Sequence, residues 1–153
     1  PASITVDSLG SWTDFVGDEY KAFSGTAVYT TTINKVPVAD VIKLNLGTVA
    51  ENASVYLNGE YIGTVIDSPY QLYIPAEKFK GQDELVVRVA NSMANRIAYM
   101  DKKGVDWKIF YNVNMSARKK ENVKNGIFDA SDWEPKSSGL LGPVTLTPAM
   151  VKQ

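Results

Sequence analysis

Polar and apolar residues alternate with a two-residue period through much of this chain, in short runs closed by Gly, Pro, Asn and Asp. That period is the pattern of half-buried β-strands. Residues 27–33 (AVYTTTI) set Val28, Thr30 and Thr32 against Tyr29, Thr31 and Ile33, and residues 41–46 (VIKLNL) line up Ile42, Leu44 and Leu46. Residues 53–57 run into Asn58-Gly59 and resume as residues 60–66. Asn-Gly between two such runs predicts a tight hairpin, because both turn residues must adopt positive φ. A short strand at 70–74 ends at Pro75, and 76–79 suit one helical turn before Gly81. Residues 84–91 (ELVVRVAN) place Leu85, Val87 and Val89 on one side and Val86, Arg88 and Ala90 on a wetter one, and residues 142–147 (GPVTLT) form the last strand. No helical period longer than two turns is legible, so the expectation is an all-β sandwich.

The alternation fails over residues 92–138, where aromatic, charged and amide residues are scattered. Ile97, Tyr99, Met100, Trp107, Ile109, Phe110, Tyr111, Phe128 and Trp133 are too much apolar surface to leave in water, so this stretch reads as a long irregular excursion folded onto the sandwich. Residues 1–153 are then one β-sandwich domain, a size at which a core needs no crosslink or metal. The first residue is Pro1 and no basic-then-apolar leader precedes the strands, so the chain reads as processed or as excised from a longer one.

Charge and rare residues narrow the chemistry. The 16 basic and 17 acidic residues nearly cancel without long one-sign runs, which argues against a nucleic-acid partner, and no apolar run approaches membrane-spanning length. Cys and His are both absent. Their absence removes disulfides, thiol nucleophiles, His-based triads and His- or Cys-ligated metals. The spaced acidic loop of a strong calcium motif is missing, and residues 137–143 (SSGLLGP) lack the ending of a phosphate loop. No cofactor is expected, and a structural calcium is left open.

What the excursion does hold is the pair of ingredients for sugar recognition: flat aromatic faces for pyranose C–H surfaces, and planar amide, carboxylate or guanidinium groups for hydroxyls. Asn91, Asn95, Arg96, Asp101, Lys102, Lys103, Asp106, Asn112 and Asn114 are interleaved with Tyr99, Trp107, Phe110, Tyr111 and Trp133. Each also has a structural reading. Asn91 ends a strand, where an amide commonly serves turn backbone groups. Arg96 divides evenly between ligand contact and an ion pair with Asp101 or Asp106, whereas Trp107, Phe110 and Tyr111 lean toward anchoring the loop, and Trp12 and Trp133 read as packing residues. Asp7, Asp14, Asp18, Asp101, Asp106, Glu121, Asp129 and Asp132 supply carboxylates, but no short motif marks two of them as an acid and nucleophile pair, so independent catalysis is not expected.

Three segments together resemble the sugar-binding, galactose-binding-like jelly-roll domain of family-2-type glycoside hydrolases. They are Phe23-Ser24-Gly25-Thr26-Ala27-Val28-Tyr29, the hairpin from Ala53 through Asn58-Gly59 to Val65 with Pro69-Tyr70 after it, and the stretch from Val89 through Asn95-Arg96-Ile97 to the Ser138-Gly139-Leu140-Leu141-Gly142-Pro143-Val144 strand. The last is similar to the C-terminal domain of family-106-like α-L-rhamnosidases from Bacteroidetes, in which segments like residues 93–97 and 107–114 recur. The resemblance implies an extracellular or periplasmic multidomain glycosidase with its catalytic residues in another domain. The expected function is a non-catalytic carbohydrate-binding module that targets its enzyme to pectin-like, rhamnose- or galactose-containing plant or algal polysaccharide. Trp107, Tyr111, Tyr99, Arg96, Asp101 and Asn112 are the candidate binding residues. The partners expected are polysaccharide or oligosaccharide and the parent catalytic domain, with no nucleic acid and no membrane. The alternative is a structural domain that packs against the catalytic domain and has no ligand of its own.

Overall fold

Most of the alternating runs become strands. The computed structural model describes residues 2–105, 123–124 and 127–149. In chain order the strands are β1 (Thr26–Ile33), β2 (Val41–Asn45), β3 (Thr48–Ala50), β4 (Asn52–Leu57), β5 (Glu60–Val65), β6 (Gln71–Pro75), β7 (Asp83–Ala90), β8 (Val123–Lys124), β9 (Ile127–Phe128), β10 (Gly139–Gly142) and β11 (Thr145–Pro148). The α-helices are α1 (Asp18–Lys21) and α2 (Ala94–Lys102), and single 3₁₀ turns lie at Trp12–Asp14 and Ala76–Lys78. Two compact units emerge, one of Ser3–Ser11, Gly25–Asn91 and Ser138–Gln153, the other of Pro1–Ala2, Trp12–Ser24 and Ser92–Ser137.

The first unit is an antiparallel β-sandwich. One sheet has the order β1-β7-β4-β5, a second β11-β2-β6, and β10 pairs with β3. Side chains on alternate positions point to opposite faces, and burial follows: Ala53, Val55 and Leu57 of β4 and Leu85, Val87 and Val89 of β7 are sealed, as are Leu44, Leu46 and Ile74 from the β2 and β6 side. These residues form one core cluster, with Tyr29 and Ile33 of β1 packed against it. The Tyr29 hydroxyl accepts the Leu140 N–H at 3.2 Å. Burial pushes the Tyr29 phenol above its ordinary range, and that hydrogen bond offsets only part of the rise.

The hairpin forms at Asn58-Gly59 with φ of 50° and 80°. Asn58 also reaches β7: its amide donates to Asp83 Oδ1 at 2.7 Å and its carbonyl accepts the Glu84 N–H at 2.9 Å. Asp83 is itself buried. Burial on its own raises this carboxyl, but donation from the Asn58 amide and from the Lys80 and Gly81 N–H groups, with the Lys80 charge, outweighs it and holds Asp83 below the usual carboxylate range. The turn is thereby fastened to the β7 end.

The final strand differs from the sequence expectation, which ran unbroken over 142–147. The chain instead pairs with β3 as β10, then shifts to β2 as β11, with Gly142 and Pro143 at the switch. The partner switches at the same level, through Gly47, which bridges Gly142. Gly47 has φ +67°, and a Cβ there would lie 2.4 Å from the Gly142 backbone, so no larger residue allows the crossing. Asn91 behaves as its strand-end position implies: its carbonyl accepts the Gly25 N–H at 3.0 Å and its amide donates to Ser138 Oγ at 3.3 Å.

Candidate functional site

The stretch read as irregular opens with a helix. Ala94–Lys102 is α2, and its buried residues are Asn95 and Ala98. A buried face made of alanine and an amide carries no apolar stripe, which is why its period is invisible in the sequence. The helix ends in a Schellman arrangement: Val105 N–H donates to the Met100 carbonyl at 2.9 Å and Gly104 N–H to the Asp101 carbonyl at 3.1 Å, with Gly104 at φ +68°. Just before it, Ser92 Oγ accepts the Ala94 N–H at 3.4 Å.

Three of the six candidate binding residues lie on this helix. Arg96 is exposed and Tyr99 and Asp101 are half-buried. Five positions separate Arg96 from Asp101, which turns them about 140° apart around the helix axis. The Asp101 carboxylate accepts the Ala130 N–H at 2.7 Å, and Arg96 makes no ion pair among the described residues. Tyr99 presents its ring to the Lys103 ammonium at 5.7 Å, and that ammonium also lies 3.9 Å from Asp18. The other three, Trp107, Tyr111 and Asn112, fall outside the described residues, as does Asp106.

The same unit forms a concavity that sequence reasoning did not identify. About 280 Å³ of space is lined by Ala94, Asn95, Trp133, Glu134 and Lys136. Two clamps set the segment that carries Trp133. On one side, Asp101 receives Ala130 N–H, and Trp133 N–H returns to the Ala130 carbonyl at 3.0 Å, closing a turn. Lys124 braces that turn, 3.1 Å from Asp132 and 3.3 Å from Asp129, and donates to Ser131 Oγ at 2.7 Å. The Ser131 hydroxyl hydrogen bond is the main cause that holds the Asp129 carboxyl below its ordinary range; burial opposes it, while Ser131 N–H and Lys124 reinforce it. On the other side, Asn95 grips Lys136 at both backbone groups, its amide donating to the carbonyl at 2.9 Å and its oxygen accepting the N–H at 2.8 Å.

Trp133 therefore stands between two fixed points, half-buried, and lines the space together with Glu134 and Lys136. One charge of each sign leaves the lining near neutral. An apolar wall with a few polar groups around it suits a small polyhydroxylated ligand. Among the described residues of the lining, Glu134 supplies a carboxyl. Sequence position alone does not tell whether Trp133 packs or lines a surface; the structure has it half-buried and in the lining. Trp12, read as a packing residue, is buried and stacks edge-on to Phe23 at 5.2 Å. Its indole N–H meets no acceptor among the described residues.

A larger concavity of about 510 Å³ lies in the sandwich unit at the β4–β5 turn, lined by Leu57, Asn58, Glu60, Glu77, Lys78, Lys80 and Gln82. Lys78 pairs with Glu60 at 2.6 Å, and Lys80 donates to the Glu77 backbone carbonyl at 2.9 Å. With no aromatic wall, it has less to offer a sugar ring. Among the described residues no group of three or more carboxylates is placed to hold a metal ion, and no helix is long and apolar enough to cross a membrane.

No known family profile matches the chain. A Formosa agariphila protein with the provisional name β-glucuronidase is 32% identical over 158 residues, which cover 94% of this chain and 14% of that protein. The solved structure of a rhamnosidase from Novosphingobium sp. PP1Y matches 95% of this chain with a TM-score of 0.76 and 30% identity, over 13% of its own length. Both relatives carry glycosidase names, and the chain matches one domain-sized stretch of each, a small fraction of either protein.

Proposed function

We propose that this chain is a non-catalytic, carbohydrate-binding ancillary domain of a glycoside hydrolase, and that it holds the enzyme against plant or algal polysaccharide. The observation that carries the reading is the concavity lined by Trp133, Glu134 and Lys136, in a segment held by the Asp101 and Asn95 clamps. Arg96 is exposed on the same helix as Asn95 and adds a planar donor within this unit. The partial match to a rhamnosidase and to a protein named for β-glucuronidase supports a parent enzyme of the glycosidase class. Within that class we favour a family-106-like α-L-rhamnosidase, an extracellular or periplasmic setting, and pectin-like polysaccharide containing rhamnose or galactose.

Single-site affinity is weak on this reading, because sugar hydroxyls exchange water for protein partners with little net gain. The benefit is a raised local concentration of enzyme on an insoluble substrate. Isothermal calorimetry of the full chain against oligosaccharides from rhamnogalacturonan and galactan provides the test. Binding that Trp133→Ala abolishes supports the proposal. No heat across the whole panel overturns it and leaves the alternative, a domain that only packs against its catalytic neighbour.

A further inference from the structure

The outward face of the four-stranded sheet carries a second set of recognition groups. Register places Thr30, Val86, Tyr56 and Tyr61 in one row across β1, β7, β4 and β5, and Val28, Arg88, Ser54 and Thr64 in the next. The intervening residues of the central strands, Val55, Leu57, Leu85, Val87 and Val89, are buried in the core, so alternation turns both rows away from it. Tyr61 is 55% exposed and Val28 57%. The Tyr56 and Tyr61 rings lie 5.5 Å apart at 58° to each other. Beside them runs a hydroxyl chain, with Thr64 Oγ1 2.7 Å from the Tyr61 hydroxyl and 2.8 Å from Ser54 Oγ. Each of these hydroxyls keeps capacity for a further partner.

Arg88 sits near the middle of the face, exposed, and makes no ion pair among the described residues. Its closest carboxylate neighbour along the strand is Glu84, four residues away on the same face, roughly 13 Å at the rise of a β-strand. A guanidinium with no acid to satisfy it is a ready partner for a carboxylate on a ligand, which it meets in a planar, two-point geometry. The face spans three interstrand spacings, roughly 14 Å, long enough for several groups of an extended ligand to be touched at once. Apolar Val28 and Val86 are interrupted by hydroxyls and the guanidinium, which suits a hydrated chain better than the apolar centre of a protein interface.

We propose that this face is a separate platform for an acidic glycan, with Tyr56 and Tyr61 against pyranose C–H faces and Arg88 on a uronate carboxylate. The proposal rests on the carbohydrate-binding reading of the chain but not on the Trp133 concavity. Affinity electrophoresis of the full chain through gels containing polygalacturonate, and in parallel neutral galactan, tests it with Tyr61→Ala, Arg88→Gln and Trp133→Ala. Retardation by polygalacturonate is expected, weakened about ten-fold by Tyr61→Ala. Arg88→Gln removes the preference for the acidic gel, and Trp133→Ala leaves it intact. Both platform residues are exposed, so an unchanged urea midpoint for each variant serves as the fold control. Wild-type chain that polygalacturonate does not retard overturns the platform, as does retardation that neither variant changes. Retention on neutral galactan that Trp133→Ala removes, with no retardation of the wild type by polygalacturonate, defeats the platform and keeps the concavity; no retention on either gel, with no calorimetric heat, defeats both.

Discussion

Replacing Asp83 with asparagine probes how the hairpin end is fastened. The carboxylate is buried and receives three donors: the Asn58 amide at 2.7 Å, Lys80 N–H at 2.8 Å and Gly81 N–H at 3.2 Å. The amide of Asp83→Asn can keep its oxygen toward the first two, but its NH₂ then faces the Gly81 donor. One charge-assisted hydrogen bond is lost outright and the other two become neutral, a cost of about 2 kcal/mol where hydrogen bonds to charged groups contribute roughly 1.5–3 kcal/mol each. Asp83→Ala strands all three donors and costs more, about 3–4 kcal/mol on the same basis. The pH dependence has a fixed sign. A carboxyl whose folded pKa is depressed gives stability that is complete above the unfolded value, near 3.9, and is lost as pH falls through the folded value. Urea unfolding followed by the β-sheet circular dichroism signal should therefore show the wild type about 2 kcal/mol more stable than Asp83→Asn at pH 7, with the gap closing below about pH 4. A gap under about 0.5 kcal/mol at pH 7, or one that persists undiminished at pH 2.5, refutes the reasoning.

Other substitutions test separate parts of the structure. Gly47→Ala should destabilise the chain more than Gly59→Ala in the same urea experiment: both residues have positive φ, but a Cβ at Gly47 strikes the Gly142 backbone at 2.4 Å while one at Gly59 meets open space. Gly59→Ala should cost about 1–2 kcal/mol from conformation alone. Leu44→Ala, at a position with no exposed surface in the core cluster, should cost about 2–5 kcal/mol, read as a lower urea midpoint at constant slope. Asn95→Ala releases Lys136 at both backbone groups, so oligosaccharide binding measured by calorimetry should fall at least several-fold while the thermal midpoint of the sandwich stays close to that of the wild type.

Much of the sandwich was legible because one physical rule generates it. A strand with one buried face must alternate, so Ile42, Leu44, Val55, Leu57, Leu85, Val87 and Val89 announce the core, and Asn58-Gly59 announces a turn that few other pairs can make. α2 was not legible, since Asn95 and Ala98 bury a face without hydrophobic contrast. The sequence offers Asp101 as a ligand group or as a residue that pins the loop, but its hydrogen bond from the Ala130 N–H, 29 residues away, is set by the fold.

The sequence alone determined strand positions, the hairpin, and the missing Cys and His that exclude whole classes of chemistry. Local pattern suffices for these, because each depends on neighbours a few residues apart. Tertiary structure decided which aromatic rings line a surface and which fill a core. Trp12 and Trp133 look alike in the chain, yet one is sealed against Phe23 and the other borders a concavity set by Asn95 and Asp101. It also decided that Tyr56, Tyr61 and Arg88 share one face, through the register of strands far apart in sequence. Exposure and juxtaposition are properties of the whole packed chain, and no local period encodes them.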